Sequence, residues 1–233
     1  MSFIRCIDLE TCGTDPSKHN IIEVGWCDVV GRRDYYDILA PVSYLVNTTN
    51  AVPPESSAVH HITNDDVAMA PAWDWVKEKI GAGSPAVFAA HFANFEKGWL
   101  TKDIIGTDAW ICTYKCALRL WPDAPSHSNQ ALRYWLKHEG LCCATAEKVH
   151  RSGPDAYVTS FHLRRMLTMV SAPQLIAWSA SPALLITCNL PKHRGTPWKD
   201  VPSDYLNWIV SKSDLDEDTK FTAQHWLNER AKS

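Results

Sequence analysis

Asp8 and Glu10 stand one residue apart in the N-terminal run FIRCIDLE, residues 3 to 10. In an extended strand, residues i and i+2 point to the same face, so the two carboxylates sit side by side. Phe3, Ile4, Cys6, Ile7 and Leu9 give this strand the composition of a central, partly buried one. Burying two anions there demands partners, either a cation, hydrogen-bond donors or protons. Carboxylate oxygens suit a hard divalent cation, and that is the chemistry the pair would support. Spacing alone decides little, because Asp214 with Asp216 and Asp216 with Asp218 repeat it in what reads as a solvated helix start.

Two further stretches shift the balance. AAHFANFEKGWL places Asn94, Phe95 and Glu96 just after a short strand ending at Ala90, where a helix begins. HRSGPDAYVT places His150 five residues before Asp155, with Pro154 fitting the first turn of a new helix. Four carboxylates and one imidazole then lie at the ends of predicted elements. An imidazole titrating near neutrality can take a proton from an attacking water. His60 and His61, in VHHIT, read instead as part of a structural turn.

The elements that must position these groups are strands first and helices later. Residues 3 to 10, 21 to 30 and 35 to 46 read as an antiparallel meander, with turns at Gly13, Asp15, Pro16 and the Gly31-Arg32-Arg33 segment. After the Pro53-Pro54 loop, Asn64 can cap a short helix, and residues 72 to 80 have helical apolar spacing. Residues 85 to 90 and 110 to 112 suit short buried strands. FEKGWL, TYKCALRLW, NQALRYWLKHEG with a stop at Gly140, and a long helix after Pro154 follow. A seam is expected between Ser171 and Pro182, dividing a main domain, 1 to 172, from a small C-terminal segment, 173 to 233.

The chain of 233 residues is 45% apolar, enough for one sizeable core with a small appended lobe. No apolar run approaches the roughly 18 to 20 residues of a membrane span, and the N-terminus lacks an export signal, so a cytoplasmic protein without membrane contact is expected. Eight cysteines form no paired C-x-x-C pattern, which disfavours zinc and suits reduced, mostly apolar thiols. Cys142 and Cys143 are the exception expected to be oxidation sensitive. A net charge of -3 argues against a phosphate-rich partner only weakly. Setting four acids aside as metal ligands leaves 26 - 4 = 22 acids against 23 Lys and Arg. Arg164 with Arg165, and PKHRG at 191 to 195, are the candidate basic patches.

IDLET, HFANFE and HRSGPD, in that order, resemble the three motifs of the DEDDh exonucleases: a D-x-E strand, an N-x-x-F-D-like segment and an H-x-x-x-x-D segment. WICTYKCALRLWP, SNQALRYWLK and KHRGTPWKDVPSDYLNWI extend the resemblance over nearly the whole chain. It implies a ribonuclease H-like α/β fold, a mixed five-stranded sheet flanked by helices, with a small C-terminal appendage. It also implies that Asp8, Glu10, Glu96 and Asp155 hold two divalent cations, magnesium or manganese, with His150 as general base. The implied reaction is hydrolysis of DNA from 3′ ends to nucleoside 5′-monophosphates, in repair or DNA turnover. An exoribonuclease of the same fold and a catalytically weakened nucleic-acid-binding relative are the alternatives, since the metal site does not read the sugar.

Two positions depart from the family pattern. Glu96 stands where an aspartate is usual, and Phe92 replaces the asparagine common after the motif's histidine, His91. The extra methylene of Glu96 changes metal spacing without removing an oxygen ligand. For substrate contact, the backbone from Leu9 through Thr11 and Cys12 to Gly13 would meet the terminal nucleotide, and Leu9 or Phe95 would offer the last base an apolar surface. Lys192 and Arg194 would track phosphates, while Trp198, Tyr205 and Trp208 read mainly as packing. The oligomeric state stays open.

Overall fold

Phe3–Thr11 (β1) buries apolar residues on both faces, Ile7 and Leu9 on one and Cys6 on the other, and so lies between two layers. The computed structural model describes residues 3–212 and 214–232. Its strands are β1, β2 (Ile21–Gly31), β3 (Tyr36–Ile38), β4 (Val42–Leu45), β5 (Val87–Ala90) and β6 (Trp110–Cys112). They form one six-stranded mixed sheet, ordered β3-β2-β1-β5-β6, with β4 also on β2. β1 is antiparallel to β2 and parallel to β5, and β5 is parallel to β6.

Five strands were expected, and the sixth has a local cause. The run 35 to 46 breaks at Ala40-Pro41, because proline cannot continue a ladder, into two short strands on the same edge of β2. The sheet is therefore still five strands wide.

The helices are α1 (Pro54–His60), α2 (Asn64–Val67), α3 (Trp73–Ile80), α4 (Asn94–Trp99), α5 (Lys102–Ile105), α6 (Thr113–Leu120), α7 (Asn129–Leu136), α8 (Ser152–Met169), α9 (Ala172–Ala180), α10 (Ser203–Ser211) and α11 (Glu217–Ala231). On one face of the sheet Ile7, Val24, Trp26 and Phe88 pack with Val76 and Ile80 of α3 and Trp99 of α4. On the other, Cys6, Val29, Ala89 and Ile111 meet Cys116 and Ala117 of α6, Leu163 and Met166 of α8, and Leu175 of α9. Arg5, buried in β1, pairs with Asp28 through two 2.8 Å bonds and donates to the Lys79 and Ile80 carbonyls, which ties the end of α3 to the sheet.

Several local expectations shift. Pro54, read as loop, occupies the first turn of α1, where its missing N–H costs nothing. Thr63 rather than Asn64 caps α2, with its N–H donating to Asp66 Oδ2 at 2.8 Å; Asn64 instead accepts from the Val52 N–H at 2.8 Å. α7 stops at a left-handed Lys137, ahead of Gly140. Arg164 and Arg165 are committed to the Glu139 and Leu136 carbonyls beyond and at the end of α7.

The segment read as a seam is occupied by α9, whose Leu175 belongs to the sheet-side core. A second core begins beyond it, built from Cys188, Trp198, Val201, Leu206, Ile209 and Ala223. Asp218 accepts from the Ala183 N–H at 2.7 Å and Thr222 from the Leu185 N–H at 3.0 Å, joining α11 to the chain leaving α9. Six cysteines are buried, and Cys142 and Cys143 are exposed. Among the described residues, no helix is long and apolar enough to cross a membrane.

Candidate active site

Asp8 and Glu10 lie on the β1 face that packs against α8, opposite Gly25 and Glu23 of β2 in the register. Gly25 is a requirement of this arrangement. A Cβ there would strike the backbone of Ser152 and Gly153, and a Cβ on Gly153 would strike the Ser43 hydroxyl. Two glycines thus let the start of α8 lie directly on β2, which carries Asp155 to the β1 carboxylates. Oxygens of Asp8, Glu10 and Asp155 come within 4.8 Å of one another.

Glu96 arrives separately, from the first turn of α4 just beyond β5. It is 3% exposed, and its Oε2 has no hydrogen-bond partner. All four acids line one cavity of about 520 Å³, together with Leu9, His91, Phe92, Phe95, Ser128, Asn129, Gln130, Val149 and His150. Among the described residues, no lysine or arginine lines it.

The electrostatics follow from that composition. Burial pushes Asp8 well above the usual carboxylate range, with Glu10, Asp155 and Glu96 adding repulsion. Burial, then Asp155 and Glu23, pushes Glu10 up to about 8 against the partial relief of Arg151. Burial, then Glu10, pushes Glu96 up to about 8. Asp155 is also raised by burial, but two donors restrain it. Gln130 Nε2 donates to its Oδ1 and the His150 N–H to its Oδ2, each at 2.7 Å.

Two histidines line the cavity, and their environments separate them. His91 faces the Thr113 hydroxyl at 3.0 Å and the His127 carbonyl at 2.8 Å, so both ring nitrogens are engaged. Burial holds it down at about 4. His150 is exposed, on a left-handed residue (φ 57°) just before α8. His60 is buried and its Nδ1 accepts from the Ile62 N–H at 3.0 Å, a turn contact as expected.

Of the residues expected to touch substrate, Leu9 and Phe95 reach the cavity. Thr11, Cys12 and Gly13 do not line it. The Thr11 hydroxyl donates to the Gly13 carbonyl at 2.7 Å, and Cys12 packs with Ile22, Val52 and Ile62 while its N–H donates to the Asn20 carbonyl. Lys192 and Arg194 lie on the C-terminal lobe, both exposed. Lys192 Nζ is 5.2 Å from the Tyr205 ring, which stacks on Trp208 at 5.1 Å; Trp208 is 43% exposed, whereas Trp198 is fully buried.

Sequence reading missed the support beneath the acids. Glu23, 2% exposed, accepts from Arg151 at 2.6 and 3.0 Å and from the Ser152 N–H at 2.9 Å. A lone acid within the apolar run IIEVGW was the available signal. Asn129 Nδ2 donates to the Asp155 carbonyl at 3.1 Å, so α7 supports α8 at two neighbouring residues.

A mixed sheet with this carboxylate cavity beside β1 and β5 defines a nuclease, and the chain belongs to the exonuclease family: the family described as Exonuclease, of the RNase T type, matches residues 6–160. Over 232 residues the chain is 31% identical to Exodeoxyribonuclease 10 of Escherichia coli K12, covering 96% of this chain and 98% of that one. It is 28% identical over 162 residues to the DNA polymerase III subunit epsilon of Treponema pallidum, covering 65% and 70% of the two chains. Among solved structures it is similar to Exonuclease X in complex with 5′ overhanging duplex DNA, at 29% identity and a TM-score of 0.60, over 76% of this chain and 99% of that chain. Exonuclease I of E. coli, 13% identical with a TM-score of 0.57 over 76% of this chain and 42% of that one, shares the fold.

Proposed function

We propose that this exonuclease shortens DNA from its 3′ ends, releasing nucleoside 5′-monophosphates, with two divalent cations held by Asp8, Glu10, Glu96 and Asp155. The observation that carries the reading is a cavity whose described wall holds four carboxylates and neither lysine nor arginine. Once ionised, such a wall repels a phosphodiester unless cations lie between them. The residues fit that role: three carboxylates converge, and the buried Glu96 Oε2 lacks any partner. Magnesium is the expected ion, with manganese as its substitute. When bound, such ions polarise the phosphate and stabilise the attacking and leaving oxygens.

The protein's own groups account for the remaining steps. His150, exposed at the cavity rim, takes the proton from the attacking water, while His91 has no free ring nitrogen for that task. Gln130 and the His150 N–H orient Asp155. Leu9 and Phe95 present an apolar wall to the terminal base. Lys192 and Arg194, with the half-exposed Tyr205–Trp208 stack, hold phosphates and bases farther along.

DNA is favoured over RNA because the relatives named above are an exodeoxyribonuclease and a DNA polymerase subunit, and the similar solved complex contains DNA. A role in DNA repair or turnover, within the cytoplasm, fits that substrate. The test is product analysis: DNA incubated with magnesium should yield nucleoside 5′-monophosphates. Their release from RNA alone would move the protein to the ribonucleases.

A further inference from the structure

Phe92 stands where one cavity meets another. It lines the carboxylate cavity, and with Ser128 it also lines a neighbouring groove of about 390 Å³. Its ring stacks on Tyr114, with centroids 3.8 Å apart and planes at 21°, yet the residue is 50% exposed. Its φ of 68° is left-handed, a conformation that a bulky side chain resists and an asparagine accepts. Simple packing explains this combination poorly, because half the residue remains in water.

The groove differs in charge from the cavity beside it. Its wall includes Tyr114, His127, Ser128, Leu185 and Asn189, and no carboxylate. Beyond Phe92 a phosphate backbone meets only neutral groups. The chain forming the groove's far wall runs on through Asn189 into Pro191–His193, which carries Lys192. An aromatic face is a sequence-tolerant seat for a base.

We propose that Phe92, backed by Tyr114, is a stacking ledge for a base close to the 3′ end, and that the groove beyond it guides single-stranded DNA towards the C-terminal lobe. The proposal rests on the exonuclease reading and adds a specificity-determining residue to it. Phe92 is the residue that departs from the family's asparagine, so the ledge is a property of this chain.

The test is binding of a fluorescent 12-nucleotide thymidine oligonucleotide in calcium, followed by anisotropy. Intact strands are compared with strands carrying one abasic residue at each of the four 3′-terminal positions. One abasic position should weaken wild-type binding about 10-fold. Phe92→Asn, which relaxes the backbone, should bind the intact strand about 10-fold more weakly and be indifferent to that abasic position; Phe92→Trp should behave as wild type. The ledge is overturned if no abasic position weakens the wild type. It is equally overturned if Phe92→Asn keeps full affinity or the full abasic response. Binding in calcium needs no turnover, so a protein with this signature that shortens no DNA in magnesium fails the exonuclease reading alone.

Discussion

Gln130 Nε2 donates to Asp155 Oδ1 at 2.7 Å, so a residue of α7 holds one oxygen of a carboxylate on α8. The His150 N–H holds the other oxygen at 2.7 Å, and together the two donors restrain a pKa that burial raises. Gln130 therefore acts as a positioning residue. Gln130→Ala should lower kcat about 10-fold and raise the magnesium concentration for half-maximal rate, with little change in Tm. Steady-state kinetics across a magnesium titration check this, and an unchanged metal requirement would assign Gln130 to packing.

The Glu23–Arg151 pair predicts a stability effect. Glu23 is buried directly across from Glu10 in the register, and the arginine fork offsets its charge. Arg151→Met should cost about 2 to 3 kcal/mol, slightly below the range for a fully buried pair because Arg151 retains some solvent contact. Adding Glu23→Gln should restore much of it by removing the stranded charge. Urea denaturation of both variants, in chelator, measures the difference.

Stability of the metal-free protein should fall as pH rises. Glu10 and Glu96 sit at about 8 when folded, against about 4.3 in an unfolded chain. Between these values the folded state binds more protons, so the stabilisation present below about pH 4.3 is lost as pH climbs towards 8. In chelator, Tm should drop between pH 5 and pH 8, and saturating magnesium should oppose the drop by binding the deprotonated folded state. A Tm at pH 8 unmoved by magnesium or manganese would count against a metal site.

Glu96→Gln should separate function from stability. The substitution removes a buried carboxylate with an orphaned oxygen, so the metal-free protein should gain Tm at pH 8. Turnover should fall at least about 100-fold, as expected for a misassembled site. Unchanged turnover would remove Glu96 from the site.

That the four acids gather in one cavity was legible because each sits at a locally marked strand or helix end. Asp8 and Glu10 follow from strand periodicity, and His150 with Asp155 from a loop that meets a proline-marked helix start. Glu23 and Arg151 lie 128 residues apart, and Gln130 lies 25 from Asp155, so their pairing depends on how α7 and α8 settle on the sheet. The same limit hid the role of Gly25, whose missing side chain matters only because Gly153 lies against it. The meander was legible, but its third strand was read as continuous through the break at Pro41. α1 and α9 were not, because proline at a helix start also reads as loop.

The most direct measurement is a time course on a 5′-labelled single-stranded DNA oligonucleotide and its RNA equivalent, with magnesium, manganese or chelator, beside Asp8→Ala. A ladder shortening from the 3′ end of DNA that requires metal and vanishes in Asp8→Ala is expected. Intact DNA in both metals, from folded protein, would contradict it.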